Sequence, residues 1–216
     1  MKLIDKVFKM RKFLISILII LSLNSLADAE DPSDFEIEGV SIGISLLDFF
    51  TKDQLENEKN SEYTYVYENN KFMKIGMGKE KEFYLQKNIN NYDDIGLIIK
   101  PEDNNYIVYG VQGRIFCDNG IDFCLSKQKE IISDMKKIFK NNATLDEYEI
   151  KHAADKSGNS MVYVNDFVFK NSKDIVGVTV YDWSDDITSQ KEWYDSLKVD
   201  IFSLEYIKFL KEEAYN

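Results

Sequence analysis

Residues 106–140 read YIVYGVQGRIFCDNGIDFCLSKQKEIISDMKKIFK, in which a strand pattern, a turn bounded by cysteines and a helix pattern follow one another. Residues 106–116 are rich in β-branched and aromatic side chains, which is typical of a β-strand. Residues 125–140 place apolar side chains at helical spacing on one face, which predicts an amphipathic helix. These apolar positions are Leu125, Ile131, Ile132, Met135, Ile138 and Phe139.

Short strand patterns separated by turn residues lie on both sides of this stretch. A compact apolar segment at residues 42–50 predicts a short helix, continued or followed by residues 52–58. Ser203 is placed to cap a terminal helix. Hairpin-type connections favour antiparallel pairing. We therefore predict an α+β fold in a single domain, residues 30–216, with a mainly antiparallel sheet of about eight or nine short strands and about three helices. Besides residues 106–116, the predicted strands are residues 63–67, 72–77, 82–86, 94–100, 148–154, 161–169, 175–182 and 197–201.

Residues 1–29 have the layout of a secretory signal peptide. Five basic residues precede an apolar run at residues 13–23, and the segment ends in Ala27-Asp28-Ala29, an A-x-A cleavage site. Because a membrane-spanning helix needs about 20 apolar residues, the short run favours a cleaved signal over a membrane anchor. Translation can start at Met1 or at Met10, which opens a shorter signal of the same type. We therefore expect a periplasmic or secreted protein without stable membrane insertion after cleavage.

Cys117 and Cys124 are the only cysteines of the chain. In an exported protein, an even and closely spaced pair indicates a disulfide, and Asn119-Gly120 supplies the turn that brings the two ends together. The alternative is a redox-active pair, but the spacing is not C-x-x-C. A disulfide here would attach the predicted helix to the end of the strand before it.

The chain is acidic, with 27 basic and 38 acidic residues. Residues 1–29 contain five of the basic and two of the acidic residues, so the mature chain keeps 22 and 36 and has a net charge of −14. Such a surface repels the phosphate backbone of nucleic acids and anionic lipid head groups. The remaining partner classes are an unknown protein or a small ligand.

His152 is the only histidine, and this excludes several familiar chemistries. Zinc sites with two or three histidines cannot form within one chain. A cysteine–histidine nucleophile pair would need a reduced cysteine, and no G-x-S-x-G nucleophile turn is present. We assign no catalytic residue and no cofactor, and we interpret His152 as a half-buried residue of a strand.

Two groups of aromatic residues are candidates for a ligand or partner surface. Tyr63, Tyr65 and Tyr67 alternate along one face of a predicted strand, and Trp183 and Trp193 lie in a polar loop. If these side chains are exposed, they combine apolar area with hydrogen-bonding groups, as contact surfaces do. The alternative is that the tyrosines pack against a helix and the tryptophans anchor the loop.

Asp182, Asp185 and Asp186 form the densest cluster of carboxylates in the chain. Carboxylates at this spacing can bind calcium, but an EF-hand loop needs glycine at its sixth and glutamate at its twelfth position. Those positions hold Ile187 and Trp193. A solvated turn is the alternative interpretation, and the departures from the EF-hand pattern favour it.

Residues 35–50, FEIEGVSIGISLLDFF, resemble the opening of a group of small exported proteins from AT-rich marine alphaproteobacteria. That group shares an IEG-S-I-G-x-S-L-L-D start, a following sheet and a helix entered near a cysteine. The resemblance would extend over most of the mature chain. Since the group has no assigned activity, it implies the compartment and the fold but no function.

Two functional hypotheses remain. The first is a non-enzymatic exported binding module or envelope-associated protein that contacts its partner through the sheet and loops. The second is a periplasmic hydrolase that uses acidic residues, because paired carboxylates catalyse glycoside hydrolysis without histidine. Among the 36 acidic residues of the mature chain, the sequence does not single out one pair. An exposed aromatic patch favours the first hypothesis, and two close carboxylates in a cleft favour the second.

The signal-peptide pattern predicts a mature chain that begins near Glu30. When the full chain is expressed in a bacterial host with an export pathway, N-terminal sequencing of the exported protein should give this start. An intact Met1 or Met10 in the membrane fraction would contradict the prediction.

Overall fold

Eight strands form one antiparallel sheet in the computed structural model, which describes residues 31–78 and 85–214. The strands neighbour one another in the order β1-β2-β3-β4-β8-β7-β6-β5. The predicted α+β class with a mainly antiparallel sheet is therefore confirmed. The strands are β1 (Tyr65–Val66), β2 (Met73–Met77), β3 (Asp94–Ile99), β4 (Gly110–Phe116), β5 (Ala143–Lys151), β6 (Met161–Phe169), β7 (Ile175–Asp182) and β8 (Ser196–Phe202).

Four α-helices lie within the described residues: α1 (Lys52–Lys59), α2 (Ile121–Phe139), α3 (Asp185–Lys191) and α4 (Leu204–Glu212). The sequence pattern did not predict α3, because this helix is short, mostly polar and without an apolar face. Ser203 caps α4 by accepting a hydrogen bond from the amide of Tyr206, as predicted from the sequence.

The helix predicted over residues 42–50 is reduced to a three-residue 3₁₀ turn, Leu46–Asp48. The first half of the predicted helix pairs with the segment around Val108 instead. The Gly43 amide donates to the Val108 carbonyl, and the Val108 amide donates to the Ile44 carbonyl. For the same reason β4 begins at Gly110, four residues later than predicted.

The N-terminal segment reaches this pairing through a tight turn. Ile37 and Val40 form an antiparallel bridge, and the two residues between them, Glu38 and Gly39, both have positive φ. Glycine adopts such a φ without a steric penalty, and this geometry is that of the tight two-residue turns that reverse a chain. The glycine of the IEG sequence is therefore needed for the chain reversal.

The sheet consists of two four-stranded meanders, β1–β4 and β5–β8, which meet where β4 pairs with β8. Helix α2 connects β4 to β5 and packs against β7 and β8. We call the face of the sheet under α2 the helix face. Its core includes Leu97, Val111, Val178, Leu197 and Val199, all buried.

The opposite face is called here the polar face, and its central positions carry Gln112 and Arg114 on β4 and Lys198 and Asp200 on β8. Only one end of this face is covered by a helix of the described part of the chain. There α4 contributes Tyr206 and Phe209 to a small aromatic core. Their partners are Tyr67, Phe72, Ile98, Tyr109 and Phe202.

Some predictions concern residues outside the described ranges. The predicted signal peptide lies outside them altogether, and the strand predicted at residues 82–86 lies mostly outside them. No helix within residues 31–78 and 85–214 is both long enough and apolar enough to cross a membrane.

Cys117 and Cys124 form the predicted disulfide, with their Cα atoms 5.7 Å apart. Helix α2 begins at Ile121, so Cys124 lies in its first turn and is buried against the sheet. The bond therefore joins the end of β4 to the start of α2.

Removal of this disulfide in the Cys117→Ala/Cys124→Ala variant should lower the free energy of unfolding by about 2–3 kcal/mol, because the unfolded chain gains the entropy of a short open loop. Urea denaturation with and without a thiol reductant measures the effect. The wild type should lose stability in reductant and the double variant should not respond. An identical midpoint for the oxidised wild type and the double variant would contradict the expectation.

Candidate functional site

Strand β8 places a cation and a carboxylate on the polar face. Leu197, Val199 and Ile201 point into the core of the helix face, so Lys198 and Asp200 between them point the other way. On β4, Arg114 pairs with Lys198 and Gln112 pairs with Asp200. On β7, Thr179 and Gly177 are the corresponding neighbours. Strand pairing thus gathers these residues in two adjacent rows.

Asp200 is buried, with 6% of its surface exposed, and its Oδ1 atom has no hydrogen-bond partner. Burial is the main cause that raises the pKa of this carboxyl group from its ordinary value to about 6, and the nearby Asp166 carboxylate adds to the shift. The Gln112 side chain and the Lys198 ammonium act in the opposite direction. A buried acceptor without a donor is unusual in a folded protein and often marks a functional position.

Asp166 and Asp200 lie on either side of Gly177. A Cβ atom at Gly177 would lie 3.0 Å from Asp166 Oδ1 and 3.8 Å from Asp200 Oδ2. Burial also raises the pKa of Asp166. The glycine therefore lets two carboxylates approach one another on the polar face, and we refer to them as the Asp166–Asp200 pair.

The Lys198 ammonium lies 4.3 Å from the centre of the Tyr181 ring. Within the described part of the chain, no residue accepts a hydrogen bond from this ammonium group or forms an ion pair with it. Burial lowers the pKa of Lys198 to about 8, and the neighbouring Lys74 ammonium contributes to this shift. Lys198 is thus a cation with an aromatic contact and without a hydrogen-bonded anion, although the Asp200 and Asp94 carboxylates attract it.

Two other cations of the polar face, Lys74 and Arg114, have partners. Lys74 extends along the surface of Gly96, and its ammonium donates to Gln112 Oε1 at 3.2 Å. Arg114 donates from Nε to Asp94 Oδ2 at 2.8 Å and forms an ion pair with the same carboxylate. Of Lys74, Arg114 and Lys198, only Lys198 has neither a hydrogen-bond acceptor nor an ion pair within the described residues.

An aromatic cluster borders the charged rows, and we define it as His152, Tyr181, Trp183 and Trp193. The rings of Tyr181 and Trp183 stack with an interplanar angle of 16°. Trp183 also contacts His152 at 4.5 Å and Trp193 at 4.8 Å between ring centres. Because Lys198 lies over Tyr181, the cluster is continuous with the charged part of the face.

Asp155 holds two of the loops that carry this cluster. Its carboxylate accepts hydrogen bonds from the amides and hydroxyls of Ser157 and Ser160 and from the hydroxyl of Ser184. These bonds, those of Ser157 first, hold the pKa of Asp155 far below its usual range. The carboxylate therefore joins the β5–β6 loop to the loop after β7, and so positions His152 next to Trp183.

Asp195 fixes the third loop. Its side chain accepts a hydrogen bond from the Trp183 amide at 2.7 Å, and its carbonyl accepts one from the Cys117 amide at 2.9 Å. The disulfide, the end of β4 and the aromatic cluster are thereby connected through one residue.

The structure brings together the two tryptophans selected from the sequence and separates the three tyrosines. Tyr67 is buried against α4, whereas Tyr63 and Tyr65 are exposed. Tyr65 lies on β1, at the edge of the sheet and five strand positions from β7, which carries Tyr181. The tyrosines therefore do not belong to the same surface as the tryptophans.

The predicted calcium ligands Asp182, Asp185 and Asp186 are divided between two elements, since Asp182 ends β7 and the other two begin α3. In the described residues no group of three or more histidine, cysteine, aspartate or glutamate side chains is arranged to hold a metal ion. The geometry gives the calcium interpretation no support.

His152 lies one residue beyond the end of β5, whereas we expected it within a strand. Its Nδ1 atom accepts a hydrogen bond from the Ala154 amide, and burial together with the Lys198 cation lowers its pKa. A neutral ring of this kind packs well against Trp183, so its role is to contribute an aromatic surface.

A concavity of about 730 Å³ lies on the helix face between α2 and the β5–β6 hairpin. Several of its polar groups are paired within the protein: Gln128 donates to the carbonyls of Tyr163 and Val178, and Lys136 lies 3.7 Å from Glu147. We place the candidate site on the polar face because a buried carboxylate there lacks a hydrogen-bond donor.

Fold and site together define an α+β protein on one eight-stranded antiparallel sheet, with a charged and aromatic site on one face. Comparison with known proteins finds no matching family model, no matching curated protein and no matching solved structure. The resemblance of residues 35–50 to exported bacterial proteins thus stays a prediction.

Sequence reasoning missed most of this site, including Arg114, Asp166, Lys198 and Asp200. One signal was available: the alternation of Leu197, Val199 and Ile201 implies that Lys198 and Asp200 share the opposite face. Charged residues on the second face of an antiparallel strand are usually solvated, so the alternation alone does not indicate their burial.

The raised pKa of Asp200 predicts that the Asp200→Asn variant is more stable than the wild type at pH 7. In the folded state the carboxyl group holds its proton up to about pH 6, whereas in the unfolded chain it loses the proton near pH 4. Ionisation of Asp200 therefore lowers stability as the pH rises from about 4 to about 6. The amide variant avoids this loss and should gain on the order of 1–3 kcal/mol at pH 7 and little at pH 4.

Urea denaturation at several pH values between 4 and 7 measures this difference. Asp118→Asn, which changes an exposed carboxylate in the turn after β4, is the matched control and should keep the wild-type profile. A difference between Asp200→Asn and the wild type that is the same at every pH would contradict the assignment.

Proposed function

We propose that this chain is an exported, non-enzymatic binding module whose ligand binds to the polar face, between the Asp166–Asp200 pair and the aromatic cluster. The observation that carries the proposal is the presence of two unsatisfied charged groups at neighbouring positions of β8. Asp200 Oδ1 has no donor, and the Lys198 ammonium has no acceptor among the described residues.

These two groups lower the stability of the free protein. Burying a charge without a partner is unfavourable, and the pKa values of both groups are shifted towards their neutral forms by burial. Apolar or small residues at these positions would avoid the loss of stability. Retention of such groups is typical of binding and catalytic sites, where a ligand supplies the missing partners.

The aromatic cluster supports the same proposal. Tyrosine and tryptophan offer large contact areas with little rotameric freedom, and they are enriched where proteins bind ligands. Trp193 is exposed, and Trp183 and Tyr181 are half-buried. The cluster thus provides an apolar wall next to the charged rows.

Export is supported by the pattern of residues 1–29 and by the disulfide, because disulfides persist mainly in oxidising compartments. A role in the cell envelope is compatible with the same site, since an envelope-associated module also needs a contact surface.

A hydrolase is the second candidate, and the Asp166–Asp200 pair favours it. Both carboxylates lie within 4 Å of one point above Gly177, and both pKa values are raised. Two carboxylates with different environments can act as acid and base in glycoside hydrolysis. Asp200 is only 6% exposed, however, so a bulky glycoside would reach its carboxyl group less easily than a small ligand would.

Intrinsic tryptophan fluorescence tests the binding proposal directly, because both tryptophans of the chain belong to the aromatic cluster. The mature protein is titrated separately with single amino acids, amines, organic acids, sugars and nucleosides. At least one class should change the fluorescence saturably, and Lys198→Met should weaken that ligand at least about tenfold.

Lys129→Met, which removes a cation from the concavity on the helix face, is the matched control and should bind as the wild type does. A saturable response that survives Lys198→Met, or no response to any class, would overturn the proposal. Turnover of chromogenic glycosides or esters that is lost in both Asp166→Asn and Asp200→Asn would establish the hydrolase instead.

A further inference from the structure

We propose that the ligand of the polar face is a zwitterionic α-amino acid, with its ammonium group on the Asp166–Asp200 pair and its carboxylate on Lys198. This inference rests on the proposed function and specifies the ligand of the same site.

The position for the ammonium group is defined by the two carboxylates around Gly177. Asp166 Oδ1 and Asp200 Oδ2 converge on the space that a side chain at residue 177 would fill. Asp200 Oδ1, which is enclosed by the protein, has no donor in the described structure. Two carboxylates at close range repel one another, so a cation between them relieves the repulsion and supplies the missing donors.

Nearby cations act on this position without forming an ion pair there: Lys198 and Lys74 attract the Asp200 carboxylate, and Lys211 attracts that of Asp166. Lys74 donates to Gln112, Arg114 is paired with Asp94, and the Lys198 ammonium lies over the Tyr181 ring. No ion pair with Asp166 or Asp200 forms among the described residues, although Lys198 and Asp200 are two positions apart on one strand. The carboxylate pair is thus left for a cation from outside the chain.

The position for the carboxylate is the Lys198 ammonium. Three N–H donors belong to this group, and its contact with Tyr181 leaves them without an acceptor. A ligand carboxylate would satisfy them in a charge-assisted hydrogen bond, which is stronger than one between neutral groups.

The two positions suit a ligand in which both charges are close together. Neighbouring residues on one face of a strand are separated by about 7 Å along the strand. The ammonium nitrogen and the far carboxylate oxygen of an α-amino acid are about 3.5 Å apart, and a hydrogen bond of about 2.8 Å at each end extends the reach to about 9 Å. A ligand with only one charge would leave either Lys198 or the carboxylate pair unsatisfied.

The ligand's side chain would lie against the aromatic cluster, because Tyr181 touches Lys198 and stacks on Trp183. An aromatic or large apolar side chain gains from this contact by burying apolar area and by ring–ring packing. We therefore expect aromatic amino acids to bind more tightly than glycine or serine.

Three compounds separate the two charges: L-phenylalanine, phenethylamine, which lacks the carboxylate, and 3-phenylpropionate, which lacks the ammonium group. Isothermal titration calorimetry of the mature protein at pH 7 should show L-phenylalanine binding at least about tenfold more tightly than either analogue. Asp200→Asn should reduce the preference for L-phenylalanine over 3-phenylpropionate. Lys198→Met should reduce its preference over phenethylamine. The matched controls Asp118→Asn and Lys129→Met should keep both preferences.

The outcomes distinguish this inference from the proposed function. Equal affinities for the three compounds would overturn the zwitterion assignment. If no amino acid binds, but another class of compound binds in the fluorescence titrations and depends on Lys198, the zwitterion assignment is wrong and the proposed binding function stands. If no compound of any class binds, both proposals fail.

Discussion

The rest of the structure depends on the pairing of β4 with β8. Each of the two meanders is held by local hairpins, but only this pairing joins them into one sheet. The strands come from distant parts of the chain, so their pairing requires the intervening helix α2 to fold back over the sheet. The Cys117–Cys124 disulfide fixes the start of that helix at the end of β4, and the Cys117 amide donates to Asp195 just before β8. A short covalent loop thus assists a pairing of long range.

The same pairing completes the candidate site. Gly177 on β7 and Lys198 and Asp200 on β8 are neighbours within one meander, and Gln112 and Arg114 on β4 join them only when the two halves meet. Their charges are then desolvated by one another and by the surrounding side chains, which shifts the pKa values of Lys198 and Asp200 towards neutral forms. The helix face is therefore well packed, whereas the buried charged groups of the polar face lower the stability of the folded protein.

Local patterns predicted most of the described strands, the antiparallel pairing, the disulfide, the cap at Ser203 and the amphipathic helix, since each depends on residues close in sequence. The strand predicted at residues 148–154 is observed five residues earlier, from Ala143 to Lys151. They were less successful at residues 42–50 and 106–109. Those segments pair with one another, and this tertiary contact overrides their local preferences. Trp183 and Trp193 were selected because both lie in a polar loop, whereas no local pattern distinguishes Lys198, Asp200 and Asp166 from the other charged residues.

The sequence by itself determined the strand alternation, the positions of turns, the cysteine pairing and the absence of most histidine chemistry, because these follow from residue type and spacing. The tertiary structure alone decided which charges are buried and which lack partners. Burial and hydrogen bonding depend on the strand order β4-β8-β7-β6, which brings Asp166, Gly177, Lys198 and Asp200 side by side. Strand order is a property of the whole sheet, and no local stretch of sequence encodes it.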